Sequence, residues 1–492
     1  MLVNKKDTPG GNFEYLSQDQ LHQIYMAALE ILERTGCEVH NEEARKLLKD
    51  AGAIIDGTRV RYPASLVEWA IKSAPSKITF CGSDGSRKLH LYRNNVYYGL
   101  GTDLPYHLDP YSGEIRATVL KDIENIGKVC EYAQNMDFAA SLGLASDVPK
   151  ELFDVEHYIA VRKYCKKPYW TTATDYGNMM AIIDMAAAEA GGYDQLRNNP
   201  SIGLYAEPVS PLINEDEALE RLMLCAEYGI PVTWASGLIA GATGPVTVAG
   251  TIALGTAEGL SGLVIHQLKK PGAPFIFGIA GSIMDMKTSV SCYGGPEFSM
   301  IHAVVGQLGR FFDIPSYGTA GCTDSNCLDV QTGMEAMYSN MMAALNGTNL
   351  THDNGYLGAG LIGSLEMILI DSETAGFIKK MQSGIEVNED TLAVDLINKV
   401  GVGGEYVSNP HTFKNFKKEG WYPDYLCRTM HVGWKAAGGK SMQQVVNEKV
   451  KQIIEADTKP VQSETIIKVY EEILERRKKE VAEGKFNRRD FK

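Results

Sequence analysis

The sequence predicts an α/β fold, specifically a (β/α)8 TIM-type barrel with helical extensions at its N- and C-termini. Two observations support this prediction. Short runs of β-branched and aromatic residues alternate with amphipathic helical patterns, and eight such runs occur along the chain. An open, doubly wound parallel sheet would show a similar alternation and is the rival architecture. The chain has 492 residues, 44 % of them hydrophobic and 22 % charged, so it can build a large core.

The chain divides into three predicted regions. Residues 1–76 form an N-terminal helical extension, in which SQDQLHQIYMAALEILERTG begins with Ser17 as N-cap and stops at Gly36. Residues 77–380 form the catalytic barrel. Residues 381–492 form a C-terminal helical region, with the aromatic-rich stretch GWYPDYLCRTMHVGW and a long charged helix at the end.

The barrel strands are predicted from their composition and from the turn residues around them. Amphipathic helices such as NEDEALERLMLCAEYG lie between them, and two strands begin with Ile-Pro directly after a helix. The eight predicted strands are VYYGLG (96–101), DFAASLGL (137–144), PYWTTA (168–173), SIGLYAE (201–207), IPVTWASG (230–237), APFIFGI (273–279), IPSYGTA (314–320) and TNLTHDN (348–354).

Charge and composition exclude several classes of protein. The net charge is −13 and basic residues are dispersed, which disfavours a nucleic-acid-binding protein. The basic run at the C-terminus is interpreted as a solvated helix. No stretch reaches the ~18 uninterrupted apolar residues of a membrane span. The first residues lack an apolar signal core, and nine scattered cysteines fit reduced thiols, so a cytoplasmic location is expected.

The active site of such a barrel lies at the carboxyl ends of its strands. These ends carry aromatic, hydroxyl, amide and a few acidic side chains. None of them carries a lysine, which disfavours a Schiff-base aldolase. The residues at or just after the predicted strand ends are Tyr97, Tyr98, Asp103, Ser146, Asp147, Thr172, Thr174, Glu207, Ser236, Ser282, Cys322, Asp324, His352, Asp353 and Asn354.

The stretch GTAGCTDSNCLDVQTGMEA (318–336) places Cys322 and Cys327 close together with acidic residues. A zinc site would need further ligands from distant strands, since the chain contains no second cysteine pair and no His-Glu-x-x-His motif. A redox pair would be Cys-x-x-Cys, which this is not. We favour small residues that shape a loop around a substrate, with zinc as the alternative.

GAGLIG (358–363) matches the dinucleotide pattern G-x-G-x-x-G, but it belongs to the eighth unit and lacks an acid at the expected spacing. We therefore interpret it as a nest of backbone amides that opens a helix and accepts a carboxylate or phosphate. Among the histidines, His352 ends a strand and His107 lies in a loop, whereas His157 falls within a helical pattern.

Several long runs together resemble the trimethylamine:corrinoid methyltransferase (MttB-type) family over nearly the whole chain. They are VYYGLGTDLPYHLDPYSGEIR, DVEHYIAVRKYCKKP, SCYGGPEFSMIHA, GTAGCTDSNCLDVQTGMEA and THDNGYLGAG. Methanogen trimethylamine enzymes of this family carry pyrrolysine in the barrel, and we place that position in CTDSNC. Here the stretch contains only standard residues, so the chain resembles the non-pyrrolysine branch, which includes glycine betaine:corrinoid methyltransferase.

The resemblance implies methyl transfer from a quaternary amine, with glycine betaine favoured, to the Co(I) corrinoid of a separate protein. Proline betaine, carnitine and γ-butyrobetaine are alternatives. A quaternary amine leaves as a neutral tertiary amine, so no general acid is needed. None of the ten histidines has Asp two residues before it, so the Asp-x-His-x-x-Gly corrinoid motif is lacking. We therefore expect no cofactor or metal bound by this chain and a corrinoid (cobalamin) supplied by a cognate partner protein. A homo-oligomer is compatible with these features.

The expected site holds a cation and orients it. Asp103, Asp324 and Asn326 are predicted to orient the substrate, with no acid/base catalyst. Aromatic faces that bind trimethylammonium are assigned to Tyr97, Tyr98, Trp170 and Tyr356. His352 and the amides of Gly358 and Gly360 are assigned to a carboxylate, and the remaining predicted binding residues are His107, His157, Glu207 and Asn354. The rival functions are a metal-free lyase or hydrolase that uses Glu207 with Asp103 and a non-enzymatic quaternary-amine binding protein.

Overall fold

The computed structural model describes residues 13–491. Most of the N-terminal segment in which we noted no signal core, residues 1–12, lies outside these described residues.

The N-terminal region combines helices with a small sheet. Ser17 caps the first helix in a capping box with Gln20, and the chain leaves the following π-helical turn at Gly36, as the sequence predicts. The three strands were not predicted, because three-residue strands are too short to show an alternating pattern. In chain order the elements are α1 (Gln18–Glu30), the π-helical turn (Ile31–Thr35), β1 (Cys37–Val39), α2 (Glu42–Asp50), β2 (Ile54–Asp56), β3 (Arg59–Arg61) and α3 (Ala64–Ser73).

The central region alternates strands and helices. Its elements are β4 (Ile78–Cys81), β5 (Lys88–Leu91), β6 (Tyr97–Leu100), β7 (Tyr106–Leu108), β8 (Ile115–Ala117), α4 (Leu120–Tyr132), α5 (Phe153–Arg162), β9 (Tyr169–Thr171), α6 (Tyr176–Ala190), α7 (Tyr193–Asn198), β10 (Ile202–Ala206), β11 (Ile213–Asn214), α8 (Asp216–Tyr228), β12 (Val232–Ser236), β13 (Ile239–Ala240), α9 (Val248–Lys269), β14 (Phe275–Ile279), β15 (Ser282–Asp285), β16 (Val290–Cys292), α10 (Pro296–Phe312), β17 (Ser316–Thr319), α11 (Val330–Asn346), β18 (Leu350–Asn354), β19 (Tyr356–Leu357), β20 (Ile362–Gly363) and α12 (Leu365–Gln382).

A curled parallel sheet forms the centre of this α/β fold. Seven strands follow the order β6-β18-β17-β14-β12-β10-β9, and every neighbouring pair is parallel. Seven of the eight predicted strands are therefore present. In the remaining one, DFAASLGL, only Phe138 and Ala139 form bridges, to Gly99 of β6 and Tyr169 of β9 respectively. These two residues lie between the two end strands of the sheet.

Two smaller sheets lie beyond the carboxyl ends of the central strands. One has the order β13-β15-β16 and the other has the order β19-β20-β7-β8. Both are built from the segments that follow central strands, so they form walls around the carboxyl end of the central sheet. Near the N-terminus of the chain, β11 joins β1, β3 and β2 in a four-stranded sheet.

The helix α9 is a core helix. Among the described helices it alone is long and apolar enough by composition to cross a membrane, and 83 % of its most apolar window is buried in the protein. It packs on β12 and β14 through glycines. A Cβ at Gly262 would lie 2.3 Å from the Trp234 ring, so the small residue permits this close approach. The apolar composition of α9 is explained by burial on all sides.

The C-terminal region consists of α13 (Glu389–Leu392), α14 (Val394–Val400), α15 (Pro410–Glu419), α16 (His431–Ala436), α17 (Met442–Glu455), α18 (Glu464–Ala482) and a 3₁₀ turn (Arg488–Phe491). The last helix is not simply solvated, because Arg477 is fully buried. Its guanidinium donates to both carboxylate oxygens of Asp175, at 2.9 and 3.0 Å, and to Asn178 at 2.8 Å. This ion pair ties α18 to α6.

Candidate active site

A cavity of about 400 Å³ lies at the carboxyl ends of the central strands. Its floor comes from residues at the ends of β6, β10, β12, β14, β17 and β18, and its walls come from the two smaller sheets. Leu361 in the wall is 51 % exposed, so the cavity communicates with solvent. The lining residues are Thr102, Asp103, Leu104, Tyr205, Glu207, Gly237, Ile239, Ala280, Ser282, Ser291, Tyr293, Thr319, His352, Asp353, Tyr356, Ala359, Gly360 and Leu361.

Three tyrosines supply the aromatic surface of the cavity. Tyr205 stacks on the imidazole of His352, and Tyr356 lies edge-on to the same imidazole with ring centroids 6.4 Å apart. Tyr293 faces Gly360, where a Cβ would lie 3.1 Å from the tyrosine Cζ. Aromatic faces attract cations through the ring quadrupole, so these rings suit a cationic ligand.

Tyr356 is held rigidly. Its hydroxyl accepts a hydrogen bond from the Thr102 amide at 2.7 Å and donates to the Thr102 carbonyl. Its ring packs directly on Gly101, where a Cβ would lie 2.0 Å from Cε1. The ring position therefore depends on a glycine at the end of β6.

Asp103 is partly buried at the end of β6, with φ +65°. Its carboxylate accepts a hydrogen bond from the Thr172 hydroxyl at 3.1 Å. Burial, and then the nearby Asp154 carboxylate, raise the pKa of Asp103 to about 7. The charge of this group consequently changes near neutral pH and responds to any cation placed beside it.

Glu207 projects into the cavity from the end of β10, where its side chain is exposed to solvent. It accepts a hydrogen bond from the Tyr205 hydroxyl at 3.0 Å. Although the side chain reaches solvent, the cavity walls around it remove part of the hydration of the carboxylate, and this desolvation raises the pKa of Glu207. The hydrogen bond from Tyr205 opposes this rise.

The cavity is rich in acids and poor in bases. Asp353 is the third carboxylate of the lining, and its Oδ1 contacts Nδ1 of His352. Neither His352 nitrogen has a hydrogen-bond partner of good geometry within residues 13–491. None of the described lining residues is Lys or Arg. The arrangement therefore favours a positively charged ligand.

The stretch 318–336 contributes Thr319 to the cavity lining, and its loop at residues 322–326 supports the cavity from outside. Asp324 accepts a hydrogen bond from the Tyr293 amide at 2.7 Å, and burial raises the pKa of Asp324. The Ser325 carbonyl accepts from the Gly358 amide at 2.8 Å, and the Thr323 carbonyl accepts from the Ala359 amide at 3.0 Å. The loop thus holds two segments that line the cavity. Asp324 and Asn326 were predicted to orient the substrate, but neither of them lines the cavity, and Asn326 is exposed.

The GAGLIG segment differs from the predicted nest. Residues 358–361 form the turn between β19 and β20, and a helix begins only at Leu365. The amides of Gly358 and Ala359 already donate to carbonyls of the supporting loop, so they are engaged within the protein. Gly360 does line the cavity, whereas Gly358 does not.

Three of the four predicted cage residues lie elsewhere. Tyr97 and Tyr98 do not line the cavity, because they stand near the start of β6. The Tyr97 hydroxyl accepts from the His90 amide at 3.0 Å, and Tyr98 faces Lys379 of α12 with the ammonium 5.7 Å from its ring centroid. Trp170 is fully buried and stacks on Tyr317, one layer below Tyr205.

Three further predicted binding residues have structural contacts outside the cavity lining. His107 is buried in β7 with Nε2 3.9 Å from Asp122. His157 accepts from the Ala145 amide at 3.2 Å, and burial lowers its pKa to about 3. Asn354 accepts from Asn340 at 3.0 Å and donates to the Gly99 carbonyl at 3.0 Å. Of the residues predicted to bind or orient the substrate, Asp103, Glu207, His352, Tyr356 and Gly360 line the cavity. Ser282 and Asp353, which were predicted only as strand-end residues, line it too.

Two lining tyrosines were missed. Tyr205 lies two residues before Glu207 on β10, so strand alternation places both on one face and could have identified it. Tyr293 comes from the SCYGGPE segment, which gives no local sign of its position. Long-range packing on the 318–336 loop places it.

The cysteines do not cluster with other ligands. All nine are free, with Cys322 buried and Cys327 exposed. Over residues 13–491, no three His, Cys, Asp or Glu side chains come together as metal ligands would.

Comparison with known proteins identifies the family. The family model for trimethylamine methyltransferase (MTTB) matches residues 3–482. The chain belongs to the trimethylamine methyltransferase (MTTB) family. The predicted family is thereby confirmed, and the chain is an enzyme of methyl transfer rather than a lyase, hydrolase or binding protein.

Two relatives of this MTTB-family chain are named for different methyl donors. It is 33 % identical to trimethylamine methyltransferase MttB of Desulfitobacterium hafniense (strain DSM 10664 / DCB-2), with 93 % of each chain covered. It is 31 % identical to a glycine betaine methyltransferase of D. hafniense (strain Y51), covering 86 % of this chain and 88 % of that one.

A solved structure supports the fold. The monomethylamine methyltransferase (MtmB) of Methanosarcina barkeri matches with a TM-score of 0.54 at 13 % identity, covering 95 % of this chain and 89 % of that one. This likeness shows an α/β fold with a curled parallel sheet.

Proposed function

We propose that this MTTB-family enzyme transfers a methyl group from a quaternary amine to the Co(I) corrinoid of a separate protein, with glycine betaine as the first candidate donor. The cavity carries the proposal, because it combines three carboxylates and three tyrosines without a described Lys or Arg. A fixed cation fits such a lining. The name of the glycine betaine methyltransferase relative supports the choice of donor.

The reaction requires no proton transfer. The N–CH₃ bond of the quaternary amine breaks, its electron pair stays on nitrogen, and a Co–CH₃ bond forms as Co(I) becomes Co(III). Glycine betaine would leave as dimethylglycine. The corrinoid is a second substrate here, and it would approach through the open end of the cavity near Leu361.

The residues of this chain would bind and aim the cation. Tyr205, Tyr293 and Tyr356 would contact the methyl groups, while Asp103 and Glu207 would balance the charge. Fixing one methyl group toward the mouth of the cavity converts the encounter into an oriented reaction, which is the main source of acceleration when no acid or base takes part.

We also infer that the curled sheet is the predicted (β/α)8 barrel, with its second strand reduced to the bridged residues 138–139. The bridges of these residues to β6 and β9 support this interpretation. We place the enzyme in the cytoplasm, since nine free cysteines suit a reducing compartment.

A quaternary amine without a carboxylate, such as choline, is the second candidate donor. The observation that favours it is that His352 is the only basic side chain among the described lining residues. A betaine carboxylate would have to bind His352 and the hydroxyls of Ser282, Ser291 and Thr319.

One experiment tests both candidates. The enzyme is mixed with Co(I)-loaded corrinoid protein and with glycine betaine, proline betaine, carnitine, γ-butyrobetaine, choline or trimethylamine, and the cobalt absorbance is followed. We expect methyl-cobalt with glycine betaine and little with trimethylamine. Binding of every amine without methyl-cobalt would contradict the proposal. His352→Ala should impair carboxylated donors more than choline.

A further inference from the structure

Two of the nine cysteines face each other where α4 packs against α5. The two helices approach closely at Gly127 of α4, because a Cβ there would lie 3.1 Å from the Cα of Val161 in α5. Cys130 comes one turn after Gly127. Cys165 comes one turn after Val161, and its amide donates to the Val161 carbonyl at 2.9 Å. Each cysteine therefore lies one helical turn beyond the point of closest packing.

The directions of the two helices bring these cysteines to the same level. The helix α4 leads into the bridged residues 138–139 and α5 leads into β9, and these two parts of the sheet are parallel. The helices therefore run in the same direction, and the Cys165 thiol donates a hydrogen bond to the Cys130 sulfur. A disulfide needs Cα atoms about 4.4–6.8 Å apart, which the close packing of α4 on α5 allows.

A buried lysine lies beside the pair. Lys167 is 1 % exposed, and its ammonium donates to the carbonyls of Cys130 and Ala133, the latter at 2.6 Å. Among the acidic groups of residues 13–491, the Cys130 thiol attracts this ammonium most strongly, ahead of the Glu131 carboxylate. Buried charges in proteins are paired, so the thiolate of Cys130 serves as the counter-ion of Lys167.

The surroundings give the two thiols different roles. The hydrogen bond from Cys165 and the ammonium of Lys167 lower the pKa of Cys130 against the effect of burial. Two weaker charges nearby oppose each other, since Glu131 raises this pKa and Arg87 lowers it. Burial raises the pKa of Cys165 well above its ordinary value. Cys130 is thus the thiolate that can attack an oxidant, and Cys165 is the thiol that can resolve the product.

A surface groove of about 380 Å³ lies next to the pair. Glu131 and Tyr164, the chain neighbours of Cys130 and Cys165, line this groove, whereas both cysteines are fully buried. Only a small, uncharged oxidant can pass from the groove to the two sulfurs. Hydrogen peroxide meets that requirement, and a bulky disulfide such as oxidised glutathione does not.

We propose that Cys130 and Cys165 are an oxidation site that hydrogen peroxide converts to a disulfide. The Cys130 thiolate attacks one peroxide oxygen and the O–O bond breaks. The Lys167 ammonium gives its proton to the departing hydroxide, which leaves as water. The sulfur of Cys165 then attacks the Cys130 sulfenic acid, the S–O bond breaks, and the hydroxyl leaves as a second water with the Cys165 proton. The two sulfurs lose two electrons, the peroxide gains two, and Lys167 remains as a neutral amine.

Mass spectrometry of the full-length protein tests the proposal. The reduced protein is treated with hydrogen peroxide, unfolded in iodoacetamide and digested without reduction. We expect two peptides joined through Cys130 and Cys165, lighter by two hydrogen atoms than the separate peptides and released by dithiothreitol. Cys225 is the internal control, because it is equally buried and burial raises its pKa, but no other thiol of residues 13–491 acts on it. It should be alkylated in full.

Two variants separate the roles of the residues. Cys165→Ser should leave the Cys130 sulfenic acid unresolved, so dimedone, which reacts with sulfenic acids, should label Cys130 more in this variant than in the wild type. Lys167→Met should slow the loss of the Cys130 thiol about tenfold or more, because it removes the positive charge that favours the thiolate.

The wild-type protein decides the proposal even where Lys167→Met fails to fold. Full alkylation of both Cys130 and Cys165, after a peroxide treatment that oxidises the exposed Cys327, would overturn it. Loss of the Cys130 thiol no faster than loss of the Cys225 thiol would overturn it as well.

Discussion

The phenol ring of Tyr205 lies parallel to the imidazole of His352, with ring centroids 5.7 Å apart and an interplanar angle of 3°. The hydroxyl of the same tyrosine donates to Glu207 at 3.0 Å. Tyr205 thus joins an aromatic wall of the cavity to one of its carboxylates, and its ring and its hydroxyl can be tested separately.

Tyr205→Ala should weaken binding of the quaternary amine about 2- to 30-fold, since an aromatic contact to a cation contributes roughly 0.5–2 kcal/mol. Tyr205→Phe should keep most of the affinity near pH 8. Calorimetric titration gives both dissociation constants. Tyr97→Phe, which removes a hydroxyl outside the cavity lining, is the control, and an effect of that variant equal to Tyr205→Ala would argue against the aromatic wall.

Tyr205→Phe should also shift the pH dependence of binding. The Tyr205 hydrogen bond lowers the pKa of Glu207, so its loss should raise that pKa further. Because the ionised carboxylate attracts the cation, affinity should then rise with pH over a higher pH range than in the wild type. Coincident profiles of the two proteins would show that Glu207 is not linked to binding.

Cation binding should release a proton near pH 6.5. The pKa of Asp103 is about 7, so much of this group is protonated at pH 6.5. A cation nearby lowers that pKa and expels the proton. Calorimetry in buffers of different ionisation enthalpy measures the release, and Asp103→Asn should abolish it. Equal release from this variant would assign the proton to another group.

Gly101→Ala should weaken amine binding by about tenfold or more. The new Cβ would lie 2.0 Å from the Tyr356 ring, which its two hydrogen bonds to Thr102 prevent from moving freely. Gly333→Ala is the control, since nothing lies within 4 Å of a Cβ there. It should leave binding unchanged and stabilise α11 by roughly 0.5–1 kcal/mol.

Arg477→Ala should destabilise the protein by about 3–5 kcal/mol, because it leaves Asp175 uncompensated between α6 and α18. The adjacent Arg476 is 47 % exposed in its side chain and pairs with Asp184 at the surface. Arg476→Ala should cost roughly 0–1 kcal/mol. Denaturant unfolding compares the two variants, and equal losses would mean that burial of the pair is unimportant.

The positions of the central strands along the chain could be predicted from sequence, because short runs with β-branched or aromatic residues alternate with amphipathic helical patterns. DFAASLGL is the exception. Its alanines and glycine offer little to fix a strand, and only two bridged residues remain. Nearness to a strand end was a weaker guide to the cavity, because Tyr98 comes early in a strand and contacts a helix, whereas Tyr205 comes late and reaches the opening.

The walls of the cavity could not be predicted in the same way. Tyr293 and Gly360 meet there only because a loop far along the chain binds the backbone of both segments. Hydrogen bonds between distant segments leave no periodic trace in the sequence. The functional roles of the cavity residues remain predictions.

The 322–326 loop supports the residues that line the cavity but does not itself line it. It sets the spacing between Tyr293 and the β19–β20 turn while its own side chains stay outside the lining. Natural variation in this loop can therefore widen or narrow the opening without altering any group that meets the ligand. Related enzymes that differ in their preferred methyl donor should therefore differ first in this loop, which a comparison limited to ligand-contacting residues would overlook.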